Sequence, residues 1–228
     1  MNKLGITILQ RTTTTIFALI ITLMGWAQEG SKLYDVSKTR VVDQSNYEEI
    51  RGTPYLYDDW HEAKLLDADG KYHDFSEVNF NGYTQELESK TDGLVEEFIG
   101  HAYLKIIVNT GKNEHTFIRG IHPDFGRDIV CILYDGQEVK FIKKFKVKLE
   151  ESVMQTPGIP TVFEKFSPTK DYYLMVDGNL TKTKLKKKSI IALLGYKTEI
   201  EKYLKQEKIN ITSESGLIRL LNYYESLI

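Results

Sequence analysis

Five histidines, one cysteine and several paired carboxylates are the groups in this 228-residue chain that could carry acid–base, nucleophilic or metal chemistry. The histidines are His61, His73, His101, His115 and His122, and none stands in a His-Glu-x-x-His or His-x-His arrangement. Those spacings set two imidazoles on one face of a helix or strand, where zinc can bridge them. His61 has Asp58, Asp59 and Glu62 beside it, and His73 is followed by Asp74. Three histidines with carboxylates, gathered from separate strands, would suit zinc or a dispersed hydrolytic site. Scattered surface histidines are the ordinary outcome of this spacing. Cys131 lies in the apolar run Ile129-Val130-Cys131-Ile132-Leu133 with no activating partner nearby, so it reads as a buried, inert thiol. A single cysteine also means no internal disulfide.

Asp67-Ala68-Asp69-Gly70 matches a fragment of a calcium loop, but Leu65 stands where the loop's first ligand belongs. A hairpin turn explains the fragment better. Carboxylates are adjacent at Glu48-Glu49, Asp58-Asp59, Glu96-Glu97 and Glu150-Glu151. Neighbours along a strand point to opposite faces, so these make poor glycosidase pairs. Lys182, Lys184, Lys186, Lys187 and Lys188 form a basic cluster that could touch acidic lipid or a polyanion. As a solvated strand edge and helix start, the same lysines discourage edge-to-edge pairing. No Gly-x-Ser-x-Gly elbow, P-loop or Gly-x-Gly-x-x-Gly is present. The residues therefore name no catalytic, cofactor-binding or metal site, and no cofactor.

The elements that must position these groups are mostly strands. Asp-Gly pairs at Asp69-Gly70, Asp92-Gly93, Asp135-Gly136 and Asp177-Gly178 stand between apolar or alternating runs, a short-range signal for hairpins. Phe145, Val147 and Leu149 alternate with lysines, the period of a strand with one wet face. Tyr103–Val108 and Thr116–Ile121 read as two more strands joined by a turn at Asn109–Asn113. His122–Gly126 reads as a loop. Phe75, Phe98 and Phe141 each follow the glycine of a pair by five residues, which suggests an equivalent core position in successive hairpins. Residues 150–170 carry Pro157, Pro160 and Pro168 with little periodicity and read as a long surface excursion. Beyond residue 186 the pattern turns helical. A short helix ends at Gly195, a second begins with a capping box at Thr198 and Glu201, and a third begins near Ser213 with Leu217, Leu220, Leu221 and Tyr224 on one face. Amphipathic helices must cover something, and the β domain's open face is nearest.

The expected organisation is a signal peptide over 1–27, an N-terminal arm over 28–50, an antiparallel β domain over 51–185 and C-terminal helices over 186–228. Lys3 and Arg11 precede the apolar run Ile16–Met24, and Gly25-Trp26-Ala27 offers small residues at the cleavage positions. The run is short for a membrane span, which needs roughly 20 residues, and no cysteine near the cleavage point offers a lipid anchor. The expected compartment is the periplasm or the extracellular side of an envelope, with no transmembrane segment after cleavage. The net charge is −2, and a chain without a basic balance gives no reason to expect nucleic acid as a partner. The fold class is α+β: an antiparallel meander of about eight strands, as a curved sheet, sandwich or partial barrel, with C-terminal helices packed on it.

The opening Gly52-Thr53-Pro54-Tyr55-Leu56-Tyr57-Asp58-Asp59-Trp60 and the ending Leu220-Leu221-Asn222-Tyr223-Tyr224-Glu225-Ser226-Leu227 resemble an uncharacterised family of exported proteins of Bacteroidota. That resemblance implies compartment and general shape, and carries no functional residues. The function expected first is a non-enzymatic module that binds another protein or an envelope component. A small apolar-ligand carrier with a lipocalin-like pocket is the alternative, and a hydrolase with a dispersed His/Asp site is the third.

Overall fold

The computed structural model describes residues 38–99, 103–155 and 160–228. The expected signal peptide, the arm up to residue 37, His101 and Pro157 lie outside them. Eleven strands form one antiparallel sheet: β1 (Thr39–Val41), β2 (His61–Asp67), β3 (Tyr72–Asn81), β4 (Glu86–Thr91), β5 (Leu94–Phe98), β6 (Tyr103–Asn109), β7 (Glu114–Arg119), β8 (Ile129–Asp135), β9 (Val139–Met154), β10 (Thr161–Val176) and β11 (Asn179–Thr183). Their spatial order is β1-β5-β4-β3-β2-β6-β7-β8-β9-β10-β11. The chain meanders from β2 out to β5, then resumes on the other side of β2 with β6 and meanders to β11. The sheet is not closed, and β1 and β11 are its edges. β1 lies within the expected arm and pairs with β5 through Arg40 opposite Glu97.

The Asp-Gly pairs do form hairpins, by three different means. Asp92-Gly93 and Asp177-Gly178 hold positive φ at both positions, 51° and 82°, then 49° and 76°, as a two-residue type I′ turn requires. Asp67 closes the first hairpin, its carboxylate accepting from the backbone N–H groups of Asp69 and Lys71 at 3.0 and 2.9 Å. The Gly136 N–H closes the third on the Val139 carbonyl at 3.0 Å.

Within the excursion expected over 150–170, residues 150–154 and 161–170 are instead strand, and 156–159 lie outside the described residues. β9 and β10 are 16 residues each, paired without a break from Met154 opposite Thr161 to Val139 opposite Val176. Pro160 stands just before β10, and Pro168 is accommodated within the strand. Both faces of the ribbon's outer end are wet, which erases the alternation by which a strand is recognised in sequence.

The sheet curls where β9 leaves β8. The Val147 N–H donates to the Gly82 carbonyl at 2.9 Å, and the Gly82 N–H donates to the Pro54 carbonyl at 2.8 Å. Arg51 bridges Glu164 and Phe166 of β10 through its own backbone at 3.0 and 2.9 Å. The segment 51–56 thus stitches the end of β3 to β9 and β10. Gly82 is required there, because a Cβ would sit 2.5 Å from a ring carbon of Phe145 and 2.8 Å from Val147 Cγ2.

Three helices follow: α1 (Lys187–Leu194), α2 (Lys197–Gln206) and α3 (Glu214–Glu225). α3 packs on β8 and β9 and α1 on β10, as amphipathic faces demand. α3 buries Leu217, Leu220, Leu221 and Tyr224, and Ser213 caps it by accepting from the Gly216 N–H at 3.1 Å. The expected capping box at Thr198 and Glu201 is not formed. α2 starts two residues earlier, capped by Tyr196 in the left-handed conformation with φ 48°, just after the positive φ of 70° at Gly195 that ends α1. Among the described residues, no helix is long and apolar enough to cross a membrane.

Candidate functional site

One row of directly opposed residues crosses eight strands: Thr183, Tyr172, Lys143, Cys131, Phe117, Ile106, Leu65 and His73. Opposed residues share a face, so this row is the spine of the interior. Its middle is apolar, and its β9–β10 end is polar. Lys143 is only 4% exposed, and its Nζ donates to Glu214 Oε2 of α3 at 3.2 Å. The Tyr172 hydroxyl donates to the other oxygen of Glu214 at 2.8 Å. A single carboxylate on the first turn of α3 therefore satisfies a buried ammonium and a phenol. The position also suits a carboxylate, because a helix N-terminus favours negative charge.

His115, on β7 and on the same face as Phe117, is 7% exposed. Its Nδ1 lies 2.6 Å from the Tyr57 hydroxyl. Burial and the neighbouring Lys143 ammonium push the imidazole down to about 4, with Glu214 opposing and His61 assisting. His115 is thus neutral at pH 7, and Tyr57 stays a phenol because burial raises it. His61 meets the Tyr57 ring from another side, with centroids 5.0 Å apart. Cys131 is 2% exposed, and burial pushes its thiol up to about 12, against the pull of Lys143. A thiol held protonated is a core hydrophobe and a poor nucleophile. Tyr57, His115, Cys131, Lys143, Tyr172 and Glu214 thus gather six reactive side chains, in which Tyr57 pairs with His115 and Glu214 partners both Lys143 and Tyr172.

A second buried group lies on β4. The Glu88 carboxylate accepts from the Tyr55 hydroxyl at 2.7 Å and from Asn81 Nδ2 at 2.8 Å. Burial raises its affinity for a proton, and the two hydrogen bonds work against that rise. Glu97 stands directly opposite and is held by Arg40 at 2.6 Å.

Cys131 is the buried core thiol expected. The expectation of scattered surface histidines fails at His115, because alternation along β7 places it beside Phe117 on the buried face. His73 pairs with the turn carboxylate Asp67 at 2.7 Å, which holds Asp67 below the usual carboxylate range together with the Lys71 N–H. This turn accounts for the calcium-loop fragment. His122 accepts from the Asp124 N–H at 3.2 Å and caps a short helical turn. Among the described residues, no group of three or more His, Cys, Asp and Glu is placed to hold a metal ion. Tyr57, Lys143, Tyr172 and Glu214 escaped the sequence reading. Lys143 alone left a trace there: it occupies the phase of Phe141 and Phe145, which alternation assigns to the buried side.

Aromatic rings line the interior around this cluster: Phe117 meets Tyr57 and Phe141 stacks on Tyr172. Phe80, Phe98, Phe117 and Phe141 are among its largest fully buried side chains. A groove of about 700 Å³ lies outside it, lined by Lys64, Asp74, Ile107 and Glu114 among others. Comparison with protein-family models, curated proteins and solved structures returns no match.

Proposed function

We propose that this chain is an exported envelope protein that acts as a non-enzymatic binding module, working through its surface. The observation that carries this reading is the state of the interior cluster. His115, Cys131 and Lys143 are each under a tenth exposed, and the polar groups around them are partnered within the fold. A hydrolase needs a nucleophile or base that substrate can reach. A carrier needs an enclosed cavity, and here aromatic rings occupy the middle of the face where a lipocalin-like barrel would hold its ligand. The signal-peptide pattern at the N-terminus and the resemblance to exported Bacteroidota proteins support the compartment, with a protein or envelope component as partner.

Native mass spectrometry of the mature protein, taken from its own envelope fraction, tests the reading. The expected mass is that of the bare polypeptide, or of the polypeptide with another protein chain. An additional small-molecule mass that disappears on denaturation would contradict it and favour the carrier.

A further inference from the structure

The outer end of the β9–β10 ribbon combines exposed apolar side chains with an unrelieved charge conflict. Val153 and Val162 are direct cross-strand partners and are 55% and 61% exposed. Two residues inward on the same face, Glu151 stands opposite Glu164. Like charges directly opposed destabilise a strand pair, and among the described residues neither carboxylate has an ion-pair partner. β8 pairs with β9 only as far as Lys143, so beyond the stitch at Val147 the ribbon also presents an open backbone edge. From Lys148 to Met154 it reaches roughly 20 Å.

The far edge of the sheet is the complement of this end. β11 is the last strand, and a groove of about 400 Å³ lies between it and α1, lined by Thr181, Lys182, Thr183, Lys184, Ser189 and Leu193. Lys182 is already paired with Asp171 at 2.8 Å. Lys184 and, just beyond it, Lys186 have no ion pair among the described residues. An edge strand continued by the exposed lysines Lys184 and Lys186 repels most incoming strands and admits one that brings carboxylates.

Resting on the binding-module reading, we infer that the partner is a second copy of this chain. The Val153–Val162 end of one copy's ribbon seats in the β11–α1 groove of the next, with Glu151 and Glu164 against Lys184 and Lys186. The two surfaces are unlike, so the contact is head to tail, and it repeats until it closes into a ring or extends as a filament.

Sedimentation velocity of the mature chain over the micromolar range tests this. The average mass should climb with concentration, and raising salt from about 0.05 M to about 0.5 M should weaken association at least tenfold. The double variants Glu151→Lys/Glu164→Lys and Lys184→Glu/Lys186→Glu should each be monomeric with the wild-type melting temperature. Mixed in equal amounts they should associate again, because the swapped charges are complementary at both contacts: the glutamate ribbon of one variant meets the native lysines of the other, whose lysine ribbon meets the first variant's glutamates. A wild-type chain that stays monomeric, or a mixture that stays unpaired, overturns the inference. A photo-crosslinking residue at Val162, used in the native envelope, separates the two levels of the argument. An adduct to a second copy supports self-association. An adduct to a different protein, or no adduct, overturns it, and either outcome leaves the binding module to be judged by native mass spectrometry.

Discussion

His115 and Lys143 show how much of this interior rests on single protonation states. Lys143 is a charge buried among aromatics, and its ion pair with Glu214 offsets a desolvation cost of several kcal/mol. His115 must remain neutral beside it. Its imidazole is held at about 4 against 6.5 for a free histidine, so the unfolded chain takes up the proton first as pH falls. This contribution to stability is full above pH 6.5 and is lost as pH drops from there toward 4. At about 1.4 kcal/mol for each unit of pKa, the loss is on the order of 2–3 kcal/mol. Urea unfolding of wild type and His115→Gln at several pH values should therefore show curves that converge as pH falls through that window. Curves that stay parallel would contradict the assignment. Little of this was legible in the sequence. Alternation gives a residue's face, but Tyr57 and Glu214 reach the cluster from a loop and from a helix 71 positions beyond Lys143, a separation no local pattern encodes.

At the scale of elements, turns and strands follow local chemistry, and the points where the sheet departs from a plain meander do not. The hairpins at Asp92-Gly93 and Asp177-Gly178 were readable because only a few residue types accept positive φ. The ribbon was not readable, because strands wet on both faces lose their alternation. The stitch at Gly82 was invisible too, since a single glycine carries no record of the ring it faces. It can be tested directly. Gly82→Ala would force Phe145 or Val147 to move and should cost about 1–3 kcal/mol in urea unfolding, as overpacked sites do. Gly93→Ala meets no neighbouring atom and should cost only the strain of its positive φ. Equal losses in the two variants would mean that the stitch contributes nothing.

For the whole molecule, reactive side-chain types are buried and partnered at the cluster around Lys143, while charged and apolar groups stay exposed at the sheet's ends. The α+β class and the placement of helices on the sheet were legible from composition and periodicity, because they depend on pattern and not on partner identity. The spread of reactive side-chain types was legible only as a list. It became interpretable when the fold brought six of them together, with His115, Cys131 and Lys143 buried. The periphery keeps what the interior gave up: an apolar, acidic ribbon end and a lysine-lined edge.

The most direct test is the reactivity of Cys131, the chain's only cysteine, which lies in the centre of the cluster. 4,4′-Dithiodipyridine added to the native protein reports whether small molecules reach that interior. A sealed core predicts labelling at least about a thousandfold slower than for a free thiol, accelerating only with denaturant as the fold opens. Labelling within about tenfold of the free-thiol rate in native buffer would mean an open chamber around His115 and Lys143, and would contradict the claim that this protein works from its surface.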